Sequence, residues 1–324
     1  MKNKSFKAGA VIATAASVFV MMGLPFFKFI VGGGGSKSEK LVKKKWNNLK
    51  HIRINRPRER YEDKFNAGLA WCEQQKMQDC YIRSNDNLLL HARYLKADNA
   101  KRYVILCHGY KGKAFNDFAN MARFLHENGC NLLFIDQRCC GESQGEYITF
   151  GAKEQYDVRR WTYYISRNNN KHLPIYLYGE SMGASSVLMA SGHTLPDEVK
   201  GIIADCGFTS MKVQLCDIAA GWFHLPWIEL LLLRVDMFCR LLGRFKMKDA
   251  DVFGALKKNK RPVLFFHGDL DTYVTAANSK YNYAICTAPK ELVIVPGARH
   301  ISSPYEDEEL YRSKVMEFFG KYDG

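Results

Sequence analysis

The sequence predicts an α/β fold, a mostly parallel sheet with helices on both faces. Three observations predict it. Short apolar runs recur between stretches of helical spacing from residue 80 to residue 319, the alternation expected of strand–helix–strand units. One run, Ile175 to Tyr178, leads straight into Gly179-Glu-Ser181-Met-Gly183 and a helix of small residues. Two polar residues, Asp271 and His300, fall just past later apolar strands, where α/β sheets place their functional groups.

In chain order, Lys2, Lys4 and Lys7 precede an uncharged apolar run from Ala8 to Phe27, long enough to cross a bilayer as a helix. A cleaved secretory signal has a shorter core and a small-residue cleavage site. The length of the run and Lys28 directly after it favour an uncleaved, membrane-anchoring helix, so residues 1–33 are expected to form a transmembrane segment. Gly32 to Gly35 reads as a hinge, and residues 34–60 as a basic juxtamembrane linker with Lys43-Lys44-Lys45. Residues 1–60 hold fourteen Lys and Arg against two acids, which is +12 of the chain's formal +14. A cationic arm beside an apolar segment suits anionic headgroups; a solvated charge run is the plainer reading. The near-neutral remainder argues against a nucleic-acid partner. The basic cluster after the run points to a cytoplasmic domain, whereas the signal-like start points the other way, so the membrane face stays open.

Residues 61–324 are expected to be the catalytic domain, opened by an amphipathic helix over 61–78. Paired antiparallel strands are predicted over 80–95, then strands at Tyr103–Cys107, Leu132–Ile135, Ile175–Tyr178, Gly201–Ala204, Val263–Phe266 and Leu292–Val295. Helices are predicted over 115–128, 153–167 and 305–319. Residues 208–250 are too long for a simple crossover and rich in Trp, Phe and Leu, including Trp222 to Leu233. They read as a helical cap insertion that packs on the domain and also lines a pocket or touches lipid; a plain buried helix pair is the alternative. The ten cysteines form no Cys-x-x-Cys pair and no Cys/His metal spacing, so buried free thiols are expected. No cofactor or metal is called for.

The chemistry centres on Ser181. A serine at the apex of a sharp strand-to-helix turn needs glycines two residues before and after it, so that strand and helix can pass closely. Its hydroxyl then sits at a helix N-terminus, where free N–H groups favour a developing anion. A serine needs a base, and the base needs an orienting acid. His300, in Pro296-Gly-Ala-Arg-His300, is the expected base. Asp271, in His267-Gly-Asp269-Leu-Asp271, is the expected acid, preferred to Asp269 because it lies further into the loop, and to Asp205, which reads as a turn or helix-cap residue. The oxyanion donors are assigned to the backbone N–H groups of Met182 and of Tyr110, in the loop His108-Gly109-Tyr110-Lys111-Gly112. His108 reads as a structural ring, and Asp136 with Arg138 as an ion pair holding a turn.

His108-Gly109, Asp136-x-Arg138-x-x-Gly141-x-Ser143, Gly179-Glu-Ser-Met-Gly183, His267-Gly-x-x-Asp271-x-x-Val274 and Gly297-x-x-His300 together resemble the α/β-hydrolase superfamily. More narrowly, they resemble its serine-aminopeptidase-like group, which includes monoglyceride-lipase-like and membrane-anchored bacterial hydrolases. The resemblance covers roughly residues 80–320 and implies Ser181, Asp271 and His300 as a triad. Arg299 departs from it, standing where a small residue is common. The expected function is a membrane-anchored serine hydrolase cleaving acyl or lipid-like carboxylic esters through an acyl-enzyme. The rivals are an aminopeptidase or amidase with the same triad, and a non-catalytic binding protein on the same fold.

Overall fold

A computed structural model describes residues 23–33, 60–219 and 228–323. Helix α1 (Glu62–Gln74) precedes strands β1 (Gln78–Arg83), β2 (Leu89–Leu95) and β3 (Arg102–Cys107). Then come α2 (Ala114–Asp117), α3 (Ala119–Glu127), β4 (Cys130–Ile135), α4 (Glu154–Arg167), β5 (Ile175–Glu180), α5 (Met182–Ala190) and β6 (Val199–Asp205). The insertion holds α6 (Met211–Ile218) and α7 (Ile228–Phe238). The chain continues with α8 (Phe253–Lys258), β7 (Val263–Gly268), α9 (Ala276–Ile285), β8 (Lys290–Val295), α10 (Ser303–Glu306) and α11 (Glu308–Tyr322).

The eight strands form one sheet in the order β1-β2-β4-β3-β5-β6-β7-β8. The β1–β2 and β2–β4 pairs are antiparallel and the rest parallel. The central strands are continuous apolar runs because both faces are covered. Alternate residues divide between the faces. Ile105, Cys107, Leu177, Ile202 and Phe265 pack with residues of α4 and α5, while Val104, Leu106, Tyr176, Tyr178, Ile203 and Phe266 pack with α3 and α11.

Register is what assembles the site. Cys107 pairs with Gly179, Glu180 with Asp205, Asp205 with Phe266, and Gly268 with Val295. The loops after β3, β5, β7 and β8 therefore leave one edge of the sheet side by side.

Several expectations change. The opening helix stops at Gln74, and residues from Gln78 pair as a strand instead. Arg138 pairs with Asp157 (2.7 Å) and Asp86 (3.0 Å), not with Asp136. Asp136 instead accepts from His91 Nδ1 (2.7 Å) and the Glu142 amide (3.0 Å). Gly141, at φ +54°, lies so near Asp136 that a Cβ there would sit 2.1 Å from its carboxylate oxygen. Asp205 does not cap the helix of the insertion: Ser210 does, accepting from the Val213 amide, while Asp205 is fully buried and accepts from Tyr311 Oη at 3.0 Å.

The N-terminal run divides. Residues 23–31 are helical and seated on the α/β domain, although the sequence placed residues 23–33 with a membrane anchor. The physical reason is an apolar socket: Phe27 and Val31 are fully buried, with the Phe27 ring 5.3 Å from Tyr147 and 5.9 Å from Phe238. Among the described residues no helix is long and apolar enough to cross a membrane. Residues 1–22, nearly all of the basic linker, and Trp222 to Trp227 of the expected cap lie outside the described residues. In the described part of the insertion, α7 buries Leu232, Val235 and Phe238 and exposes Leu230 and Leu233. All ten cysteines are free.

Candidate active site

Ser181 sits between β5 and α5 at φ +54°, ψ −119°, a conformation costly for a residue with a Cβ and typical of strain held at functional sites. The flanking glycines explain why the chain can hold it. A Cβ on Gly179 would lie 2.3 Å from the Gly183 carbonyl oxygen, and one on Gly183 1.9 Å from that of Cys107. No side chain fits at either position. The Ser181 amide donates to the Asp205 carbonyl of the neighbouring strand at 2.9 Å, which pins the turn to the sheet.

The three residues that sequence order singles out lie within hydrogen-bond distance. His300 Nε2 is 2.9 Å from Ser181 Oγ, and His300 Nδ1 is 2.7 Å from Asp271 Oδ2. All three are buried. Asp271 Oδ1 accepts from the amides of Tyr273 and Val274, each at 2.9 Å. Burial opposes ionisation of Asp271, but His300 and a second ring, His267, outweigh it and hold the carboxyl well below the usual range. His267 Nε2 lies 3.3 Å from Asp271 Oδ2. Burial lowers the His267 pKa, but Asp271 and the Val274 carbonyl reverse this to a net upward shift. Asp269 serves elsewhere, accepting from the Gly297 amide at 2.7 Å and so tying the acid loop to the histidine loop.

The loop after β3 closes the other side. A Cβ on Gly109 would sit 3.2 Å from Ser181 Cβ, so Tyr110 follows a backbone pressed against the nucleophile. The Gly109 amide donates to Asp117 Oδ2 at 2.7 Å. His108 is a buried structural ring, 2.8 Å from the Gly109 carbonyl and accepting from the Gln137 amide at 3.0 Å. Met182 is the first residue of α5, where a helix leaves N–H groups without intrahelical partners. Arg299 is exposed, and its amide binds Ser302 Oγ.

Other neighbours were not read from the sequence. The Tyr273 ring lies 4.8 Å from that of His300. Cys206, at φ +46°, brings its sulfur within 4.8 Å of ligand atoms of Asp271 and His300. That donor set coincides with the triad, whose Asp271 and His300 are bonded to each other, and burial pushes the Cys206 thiol well up, away from the thiolate a metal needs. Glu180 is fully buried behind Ser181, and both carboxyl oxygens lack a hydrogen-bond partner. Burial, then Asp117 and Asp205, pushes its pKa well up. Burial also raises Asp205, to about 6.

A carboxyl whose pKa is raised by folding costs stability once pH exceeds its unfolded value, because the unfolded chain then ionises more readily. Glu180→Gln removes that cost. Its expected effect is a Tm higher by about 2–4 °C at pH 8, shrinking to nothing near pH 4, as read by thermal melts across that range. A gain independent of pH would contradict a buried neutral acid.

Comparisons with known proteins agree with this architecture. The family model described as serine aminopeptidase, S33, matches residues 98–260. The uncharacterized protein YqkD of Bacillus subtilis is 30% identical over 66% of this chain and 70% of the relative. The uncharacterized protein YfhR of Escherichia coli K12 is 22% identical over 68% and 71%. Among solved structures, the Pyrococcus furiosus esterase Pf2001 superposes with a TM-score of 0.61 at 23% identity, covering 77% of this chain and 94% of that one. Est1E of Butyrivibrio proteoclasticus, solved with ferulic acid bound, gives 0.57 at 21%, covering 75% and 98%. At such identities these structures establish the fold. With the sheet order, the strained serine turn and the matched family model together, the chain belongs to the serine-aminopeptidase (S33) family of α/β-hydrolases.

Proposed function

We propose that the protein is a serine esterase acting on acyl or lipid-like carboxylic esters. The observation that carries the reading is the continuous Ser181–His300–Asp271 hydrogen-bond chain. Ser181 Oγ attacks the ester carbonyl carbon while its proton passes to His300 Nε2. Asp271 keeps the ring's other proton on Nδ1 and stabilises the imidazolium. The amides of Tyr110 and Met182 hold the tetrahedral oxyanion. His300 then gives its proton to the departing alkoxide, leaving Ser181 acylated, and water repeats the sequence to release the acid.

Ester over amide is favoured by an aromatic cluster that the Tyr110 ring joins to the loop beside Ser181. Phe150 and Phe208 lie 6.2 Å apart, with Tyr110 5.2 Å from Phe150. These rings suit an acyl chain better than an amine, which needs an anionic patch. Two proteins of the same fold, Pf2001 and a Rhodothermus marinus domain, are described as esterases, and one as an acylaminoacyl peptidase. A lipid-like substrate is favoured by exposed Leu230, Leu233, Leu241 and Leu242 on and beyond α7, and by the apolar residues leading into the docked helix. Membrane association through the N-terminal run is part of this reading. Residues 8–22 alone would give about 22 Å of helix, short of a roughly 30 Å hydrocarbon core. A full span from Ala8 to Phe27 would therefore draw the docked helix from its seat.

The test is the full-length protein assayed on p-nitrophenyl esters from acetate to palmitate, on aminoacyl-arylamides, and with a fluorophosphonate probe. The expected result is probe labelling and a kcat/KM that climbs with acyl length well above the arylamide values. A profile flat in chain length removes the lipid-like substrate, arylamide preference replaces esterase with aminopeptidase, and a folded protein that never labels leaves only a binding role.

A further inference from the structure

The oxyanion loop is bound to the N-terminal helix by two adjacent side chains. Tyr110 Oη donates to the Ile30 carbonyl at 2.6 Å, with the Phe29 carbonyl at 3.4 Å. Lys111 Nζ donates to the same Phe29 carbonyl at 3.4 Å. Lys111 adopts φ +52°, a left-handed conformation unusual for a residue with a side chain. Its ammonium lies 5.2 Å from the Tyr110 ring centre and 6.0 Å from that of Phe29. Both donors meet the last turn of residues 23–31, where helix carbonyls lack intrahelical partners and the dipole is negative.

The helix has its own independent supports. The Ile148 amide donates to the Val31 carbonyl at 2.7 Å, the Gly33 amide donates to the Glu146 carbonyl at 2.9 Å, and Gly32 bridges Tyr147. At its other end a Cβ on Gly23 would lie 2.8 Å from Arg234 Cβ and 3.2 Å from Phe238, both on α7. Residues 23–33 thus touch the oxyanion loop, the 146–148 segment and the insertion helix at once. They lie well upstream of residues 98–260, which the family model matches.

We infer that residues 23–33 are part of the catalytic frame, and that Tyr110 is a positioning residue whose side-chain hydroxyl, fixed to this helix, holds its own backbone amide against the oxyanion. The inference rests on the esterase reading for the role of that amide. The Asp117 carboxylate on Gly109, the His108 ring, the Gly112-to-Gly109 turn bond and the Tyr110 ring against Phe150 also hold the loop. Beyond Gly109, the Tyr110 and Lys111 side chains tie the loop to the helix. A donor displaced by a fraction of an ångström loses much of its worth in the transition state and little in substrate binding.

The experiment is Tyr110→Phe in the full-length protein, which keeps the ring, the amide and the packing on Phe150 and removes only the hydroxyl. The expected result is a kcat lower by about tenfold on a short p-nitrophenyl ester, with KM within twofold. Affinity for an alkylboronic acid, whose tetrahedral adduct places an oxygen in the same hole, should weaken in parallel with kcat. Affinity for the product carboxylate should hold. Phe27→Ala, which loosens the helix in its socket without touching the loop, should reproduce the same pattern. A merely structural role would lower Tm without separating boronate from product affinity. Unchanged kcat and boronate affinity in both variants, with wild-type protein turning over ester, overturns the inference alone. Wild-type protein that neither labels nor hydrolyses esters overturns the esterase reading first, and this inference with it.

Discussion

Ser181→Ala is expected to abolish fluorophosphonate labelling and to lower kcat/KM on esters by about 10⁶-fold, and Asp271→Asn to lower it by about 10⁴-fold. The two losses have different causes. The first removes the atom that becomes acylated. The second keeps a side chain of the same shape, whose oxygen can still accept from the amides of Tyr273 and Val274. Its amide nitrogen, however, faces His300 Nδ1, now 2.7 Å from a carboxylate oxygen. A donor there forces the imidazole proton onto Nε2, and a protonated Nε2 cannot take the serine proton. Asp269→Asn provides the comparison. Asp269 holds only the Gly297 amide among the described bonds, and asparagine can hold it too, so activity should stay within a fewfold. Equal losses at 269 and 271, measured as kcat/KM with folding checked by circular dichroism, would show that the loop rather than the acid matters.

Arg138→Met is expected to destabilise the fold by about 3–5 kcal/mol at pH 7. Arg138 is buried and grips Asp157 through Nε and Nη2 at 2.7 and 2.8 Å, and Asp86 through Nη1 and Nη2 at 3.0 and 3.2 Å. It ties the turn after β4 to α4 and to the β1–β2 hairpin. Burial already pushes the Asp157 carboxyl up to about 6 against the pull of the guanidinium. Without that cation its folded pKa rises further, while the unfolded value stays near 3.9. The cost therefore builds as pH rises above the unfolded value and fades as pH falls below it, where Asp157 becomes neutral in both states. Denaturant melts at pH 4.5 and pH 7.5 should show a clearly smaller deficit at the lower pH. A pH-independent deficit would mean that lost packing, not an unpaired carboxylate, is the cause.

Local chemistry was legible in the sequence wherever one short stretch carries its own physical constraint. Gly179 and Gly183 announce the serine turn because no Cβ fits at either place. The apolar runs announce strands because both faces of the sheet are covered. Ser181, Asp271 and His300 stand out because each follows such a run, and parallel register carries those strand ends to one edge. Pairings across the chain were not legible in the same way. Asp136 and Arg138 sit two residues apart and look like partners, yet the turn points them to His91 on one side and to Asp86 and Asp157 on the other. Nothing in the spacing of His267 reveals that it shares Asp271 with His300.

The apolar N-terminal run is the sharpest case. Composition alone determines that residues 8–27 seek a non-aqueous environment, because an uncharged stretch of that length gains from leaving water in any setting that offers it. Which setting its C-terminal part takes was decided by tertiary structure. Tyr147 and Phe238, 120 and 211 positions beyond Phe27, converge into a socket that buries its ring completely. The carbonyls of Phe29 and Ile30 then find donors on the very loop that lies against Ser181. Hydrophobicity is additive along a chain and can be read from it, whereas a socket exists only once distant segments have been brought together.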